Sequence, residues 1–418
     1  MTKSLRTAAI LLVVATSTAA ARGAADADGA GAPASKASHS AIHNVYPSDN
    51  LTAVVAAARS GDSIILHAGD YPKQYITKNF GSTLFIRGAT GETANVAGFT
   101  ISGSNLSISH VHLTGGSRVF RNGHDVKFSE LAVSVSSSVT AFSLESGTHD
   151  VSIVRTRILG GLFGVKFFGR PDATEWPTRI RIANNEIAHA SMDEVQIDGG
   201  RNSVIAHNNI HDPQVNGDHN DGIQVIASNQ LRLLRNRIHF ESYNETGGPN
   251  QGIILGHADP PDPTRRVTKT VIAGNIIDHW PGTPILLAGS DNTQIFNNTA
   301  YDSGWESRGP AVVITSKRQS YFQNQQTQLW NNIFNRLEID RGATPPSYCG
   351  YNLVSQGVRG SACRFHLIAR DPRFIDHVSY RLRGTSPARN TGTRDPRGLT
   401  QDIDGHRYGK PDRGARSR

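Results

Sequence analysis

The chain has 418 residues, 37% hydrophobic and 19% charged, with 41 glycines and two cysteines. That length suits a large core or an elongated repeat. Beyond residues 1–21 no apolar run approaches a bilayer's width, so no membrane span is expected. The net charge of +8 is concentrated in residues 364–418, where thirteen Lys/Arg face six Asp/Glu. The remainder is nearly neutral, so no nucleic-acid face is expected, and the basic excess reads as a solvated tail in preference to a polyanion-binding segment.

Residues 1–21 read as a secretory signal: Lys3 and Arg6, then apolar 8–15, then Ala19, Ala20 and Ala21 as a small-residue cleavage site. Residues 22–42 are rich in Ala, Gly, Ser and Asp and read as a flexible linker. The mature protein is therefore expected outside the cytoplasm, extracellular or periplasmic, and monomeric. In that setting Cys349 and Cys363 are expected to form a disulfide.

Residues 49–59 carry Leu51, Val54, Val55 and Ala58 at helical spacing, with Ser48 or Asp49 as the N-cap. The segment 61–71 then reads as turn, strand, turn. The rest of the chain is an internal repeat of apolar-x-x-Asn-x-apolar. It matches at Ile182/Asn185/Ile187, Ile205/Asn208/Ile210, Leu233/Asn236/Ile238, Ile272/Asn275/Ile277, Ile295/Asn298/Ala300 and Leu329/Asn332/Phe334. Earlier copies replace the Asn: Leu106/Ser109/Val111, Val126/Ser129/Leu131 and Ile153/Thr156/Ile158. The shortest spacings, 20 and 23 residues, suit one coil of three short strands. The Asn column reads as a stacked ladder at a tight turn, structural rather than catalytic.

Three windows inside this repeat align without gaps: 193–198, 221–226 and 251–256. Val195/Ile197, Ile223/Val225 and Ile253/Leu255 make one buried strand face. Asp193, Gln196, Asp198, Asp221, Gln224 and Gln251 are expected to form polar columns on the outside, joined by Lys166 from the preceding coil. Insertions at 169–177, 212–220, 241–250, 257–266 and 303–309 would wall a groove over this patch, bringing His219, Tyr243, His257, Trp280 and Trp305. Two stacked carboxylates repel unless a cation bridges them, a base pairs with them or one keeps its proton. Calcium, held by Asp193, Asp198 and Asp221, suits such a set.

The amphipathic helix followed by G-D-x-I-x-L-x-x-G-x-Y at 61–71 resembles the start of extracellular right-handed parallel β-helix proteins, the pectate-lyase-like superfamily. The strings at 371–374, 386–390 and 402–407 resemble the closing segment of such proteins. The resemblance implies an all-β right-handed parallel β-helix over residues 43–385, of about ten coils with a helix capping the first, and a basic closing segment and tail over 386–418. It also implies a polysaccharide lyase or C5-epimerase acting on an acidic, uronate-containing polysaccharide. Either Lys166 or His219 would be the base, beside Asp221, with Gln196, Gln224, Gln251 and His257 on substrate. His219-Asn220-Asp221-Gly222-Ile223-Gln224 resembles an H-x-D-x-I-Q motif of bacterial β-helix proteins. Asn220-Asp221 and Gly256-His257 resemble parts of the polygalacturonase pattern, but Gln251-Gly252 stand where those hydrolases pair two carboxylates. The Asn-x-x-Lys-Ser-Glu pattern of the chondroitin/alginate lyase branch is absent, and Asp212-Pro213-Gln214 departs from the D-P-H-D of alginate epimerases. The alternatives are a non-catalytic glycan-binding or adhesin-type β-helix and a polygalacturonase-like hydrolase.

Overall fold

The computed structural model describes residues 40–169, 175–214, 220–241, 250–256, 265–302, 311–315, 323–360, 363–394, 400–407 and 411–416. The expected signal and all but the end of the expected linker lie outside these residues.

Each coil contributes one short strand to each of three parallel sheets of 13, 14 and 12 strands. The solenoid is thus longer than the ten coils expected from the repeat, because its first coils lack the Asn and a further coil carries Asn352. One seven-residue helix, Leu51–Ala57, follows the opening strand Ile42–Val45 and buries Leu51 and Val55. Its N-cap is Asn50, whose Oδ1 accepts from Ala53 N at 3.1 Å. Asp49 instead turns back to accept from Tyr46 N at 2.8 Å, which is why neither it nor Ser48 caps the helix.

Inward side chains stack in columns. Ile153, Ile182, Ile205, Leu233, Ile272, Ile295 and Leu329 are register partners from coil to coil, and all are buried. At the next corner the expected ladder runs Asn185, Asn208, Asn236, Asn275, Asn298, Asn332 and on to Asn352. Each Nδ2 donates to the next Oδ1 at 2.9–3.0 Å. Each also donates to a carbonyl of the preceding coil, as Asn236 does to Ile205 O at 3.0 Å. The residue before each ladder position has a positive φ, from Asn184 (57°) to Tyr351 (53°), which turns the chain in a single residue.

Two early template copies are registered differently from the expectation. Phe128 pairs with Ile108 and Ile153, so Val111 and Leu131 occupy the ladder column, not Ser109 and Ser129. Strand periodicity of two lets a two-residue slip keep every apolar residue inside, so the pattern alone could not detect it.

The Cys349–Cys363 disulfide is formed. The C-terminal segment is not a solvated tail where it is described: Ala388, Asp412, Arg413 and Ala415 are buried. Arg413 donates to Asn352 O at 2.6 Å and to Thr391 O. Burial pulls its guanidinium down to about 10.

Candidate functional site

The 14-stranded sheet carries the polar row. Lys166 on strand Val165–Phe168 is the register partner of Gln196 on Val195–Arg201, which in turn partners Gln224 on Ile223–Asn229. The next partner, Ile254 on Gln251–Leu255, ends the polar run. Val195, Ile197, Ile223, Val225, Ile253 and Leu255 point inward and are buried, so the expected alternation holds.

Asp193 and Asp221 are not on the outside. Both have no exposed surface. They share the parity of Val195 and Ile223, and the chain at the corner folds them under the strand start. Asp193 Oδ1 accepts from Asp221 N at 2.9 Å, and Asp221 Oδ1 accepts from Gln251 N at 2.7 Å. Each carboxylate thus holds the first amide of the following coil, a second ladder beside the Asn one. Asp193 Oδ2 also accepts from Gln196 Nε2 at 2.8 Å, and the same amide reaches Gln224 Oε1.

Asp198 sits apart. Between Ile197 and Asp198 the register shifts, so Asp198 faces Ala227 rather than Ile226. Gly199 makes the bulge possible: its φ is +95°, and a Cβ there would lie 2.8 Å from Gly169 Cα. Asp198 Oδ2 lies 3.5 Å from Arg265 Nη1. Asp193, Asp198 and Asp221 therefore do not gather around one point. Among the described residues, the three-ligand group that does is Asp402, Asp404 and His406. There Asp402 accepts from Asp404 N and His406 N, and Asp404 pairs with Arg416, so the group is a tied turn. Calcium needs six or more oxygens, and among the described residues these three carboxylates do not converge to supply them.

Lys166 is half-buried. Its Nζ lies 3.9 Å from the Phe163 ring centroid and 4.6 Å from that of Phe168. Burial lowers its pKa, Asp198 and Asp193 oppose the shift, and Arg265 adds to it. Asn220, fully enclosed, donates to Ser191 O at 2.9 Å and Gln214 O at 3.1 Å, fastening the start of the 212–220 insertion to the preceding coil. Trp280 is a core side chain with no exposed surface rather than a groove wall. His219, Tyr243, His257 and Trp305 lie outside the described residues.

Sequence reasoning missed four residues. Phe163 and Phe168 flank Lys166 at short range and were readable there. Arg265 arrives from a distant insertion and left no local signal. The fourth is Glu194, which occupies the coil position of Gly164, Gly222 and Gly252. It is fully buried; Oε1 accepts from Ala190 N at 2.9 Å while Oε2 has no partner. Burial, then Asp193 and Asp212, push its pKa well above the carboxylate range, against the backbone amides of Ala190 and His189.

Residues 146–327 match the family described as "Right handed beta helix region". The chain is a right-handed parallel β-helix protein. No curated protein matches it. Among solved structures it is similar to the pectate lyase Pel9A (14% identity, 90% of this chain, 96% of that one, TM-score 0.51). It is also similar to an alginate lyase from Paenibacillus sp. str. FPU-7 (14% identity, 65% and 97%, TM-score 0.46). A third is the mannuronan C-5 epimerase A-module from Azotobacter vinelandii (11% identity, 76% and 90%, TM-score 0.42). The likeness to the pectate lyase agrees with the fold seen in the three parallel sheets. Among the described residues, no helix of this chain is long and apolar enough to cross a membrane.

Proposed function

We propose that this β-helix protein is an exported, carbohydrate-active enzyme that works on an acidic polysaccharide by β-elimination or C5-epimerisation, with Lys166 as the base. The observation that carries the reading is the lysine itself. It stands on the outward row of the sheet, half-buried between two phenylalanine rings, with a pKa lowered chiefly by burial. A surface lysine is protonated at neutral pH; burial, and to a lesser degree Arg265, shift Lys166 toward the neutral form against the pull of Asp198 and Asp193.

In this scheme the neutral Lys166 amine takes the proton at C5 of a uronate. The charge that develops on the adjoining carboxylate faces Arg265, whose guanidinium is partly exposed beside Asp198, and the amide groups of Gln196 and Gln224. In elimination the electron pair forms the C4–C5 double bond and expels the C4 oxygen, which takes up a proton. In epimerisation the proton returns from the opposite face. Asp193 and Asp221 act through position: they hold the coil starts and orient Gln196, and do not touch substrate. Their burial also takes Asp193 and Asp221 themselves out of the role of the accessible carboxylate pair that a glycoside hydrolase needs. His219 and His257, on the insertions, are the remaining candidates for the acid and for substrate contact.

The test is a panel of polyuronates incubated with the protein, read by the ultraviolet absorbance of new unsaturated ends and by exchange of C5 hydrogen with deuterated solvent. One uronate is expected to give a signal that Lys166→Ala abolishes. Absence of both signals on every uronate, with binding retained, would favour the glycan-binding reading.

A further inference from the structure

The outward row that holds Lys166 continues to the far end of the sheet. Its register runs Lys166, Gln196, Gln224, Ile254, Leu286, Val313, Glu338 and Arg359 without a break. Seven rungs at the usual interstrand spacing place Arg359 about 34 Å from Lys166. At that end lies a hollow of about 620 Å³ whose lining includes Glu338, Asp340, Arg341, Arg359 and Arg364.

The charges there are unequal. Glu338 is neutralised twice, by Arg336 at 3.1 Å and Arg359 at 3.0 Å. Asp340 accepts from Thr315 Oγ1 at 2.6 Å. Arg341 and Arg364 have no carboxylate partner among the described residues. The Cys349–Cys363 disulfide anchors the segment that bears Arg359 and leads directly into Arg364. The hollow is therefore a preformed concavity with two uncommitted guanidiniums, presenting forked donors suited to carboxylate or sulfate. Between it and the polar patch the row is apolar, Ile254, Leu286 and Val313, and Ile254 is buried, so the two ends are separate charged places rather than one continuous charged face.

We propose that this hollow is a distal subsite for the anionic groups of a long acidic polysaccharide that is also engaged at the Lys166 patch. The inference rests on the proposed reading of the Lys166 patch for the identity of its ligand class, not for the existence of the site. A polymer that spans both ends gains affinity by effective concentration, and a short oligomer does not. The subsite would make the protein prefer polymer over fragments without altering chemistry at Lys166.

The test measures calorimetric binding of polygalacturonate, alginate and heparin, with dextran as the neutral control and trigalacturonate as the short one. Wild type is compared with Arg341→Ala/Arg364→Ala and with Lys166→Ala, after a thermal melt confirms that each is folded. The double variant is expected to bind the preferred long polyanion about tenfold more weakly and with a shallower salt dependence. Its handling of the trimer should match wild type. Unchanged affinity for all three polyanions, or no polyanion binding better than dextran, overturns the subsite. Arginine-dependent binding with no turnover by wild type would sink the elimination and epimerisation reading and leave the subsite standing.

Discussion

Lys166 and Glu194 show how the same burial does opposite things to two charges. Desolvation disfavours the charged form of each, so it lowers the lysine and raises the glutamate. For Lys166 the consequence is kinetic. The free amine accumulates as pH rises through a value below the ordinary 10.4, so activity is expected to climb toward a plateau at a pH where a surface lysine would still be charged. Lys166→Arg keeps the cation and its contacts with Phe163 and Phe168 but never yields a neutral base. It should lose activity on the order of 10²–10⁴-fold, as Lys166→Ala does. Retained activity in the arginine variant would show that Lys166 supplies charge rather than basicity. For Glu194 the consequence is thermodynamic. Its folded pKa lies above the unfolded value near 4.3, so the folded chain holds the extra proton between the two. The stability this confers is fully present below about pH 4.3 and is lost as pH rises through the folded value. Glu194→Gln keeps the shape and the bond from Ala190 N and has no proton to lose. It should flatten this part of the pH–stability profile and raise the melting temperature at alkaline pH. A profile that declines as steeply as in the parent protein would exonerate Glu194.

At the scale of the coil, two hydrogen-bonded columns set the register. Asn236 donates to Ile205 O and to Asn275 Oδ1, and its own Oδ1 accepts from Asn208 N. Asn236→Leu leaves those buried groups unpaired and is expected to cost about 1–3 kcal/mol in chemical denaturation. Asp221 is a structural analogue on the opposite corner. Asp221→Ala should cost a similar amount, because Gln251 N loses its acceptor. Asp221→Asn keeps an oxygen there and should be milder in stability, leaving Lys166-dependent turnover in place. Loss of turnover in a folded Asp221→Asn protein would return that carboxylate to the chemistry. These columns also show what the sequence could carry. The Asn ladder was legible because the residue type itself recurs at the turn. The outward row at Lys166, Gln196 and Gln224 was legible because alternation fixes side. Asp193 and Asp221 were misplaced because they precede the strands, where the corner curls and alternation no longer says which way a side chain faces. The bulge at Asp198 and the arrival of Arg265 depend on insertions with no period at all, and neither leaves a pattern to read.

At the scale of the whole solenoid, each coil touches its neighbours in the stack, so stability is a chain of local terms. This makes the consequence of cutting the disulfide specific. Cys349 pairs in register with Leu329 inside the last regular coils, and Asn352 Nδ2 donates to its sulfur at 3.5 Å. Cys349–Cys363 closes a loop with a sequence separation of 14, worth about 3 kcal/mol by loop entropy. In a globular core that loss would be felt everywhere. Here it should fray the end that it closes, where Arg413 and the C-terminal segment seal the last coils. In Cys349→Ser/Cys363→Ser the amides of residues 328–360 should lose hydrogen-exchange protection, while those of 195–229 keep theirs. Turnover of a short uronate at Lys166 should survive and polymer binding at the distal hollow should weaken, since the segment that leads into Arg364 is released. Uniform loss of protection across both regions would mean that the coils unfold as one unit, and the distal hollow could then not be varied independently of the patch.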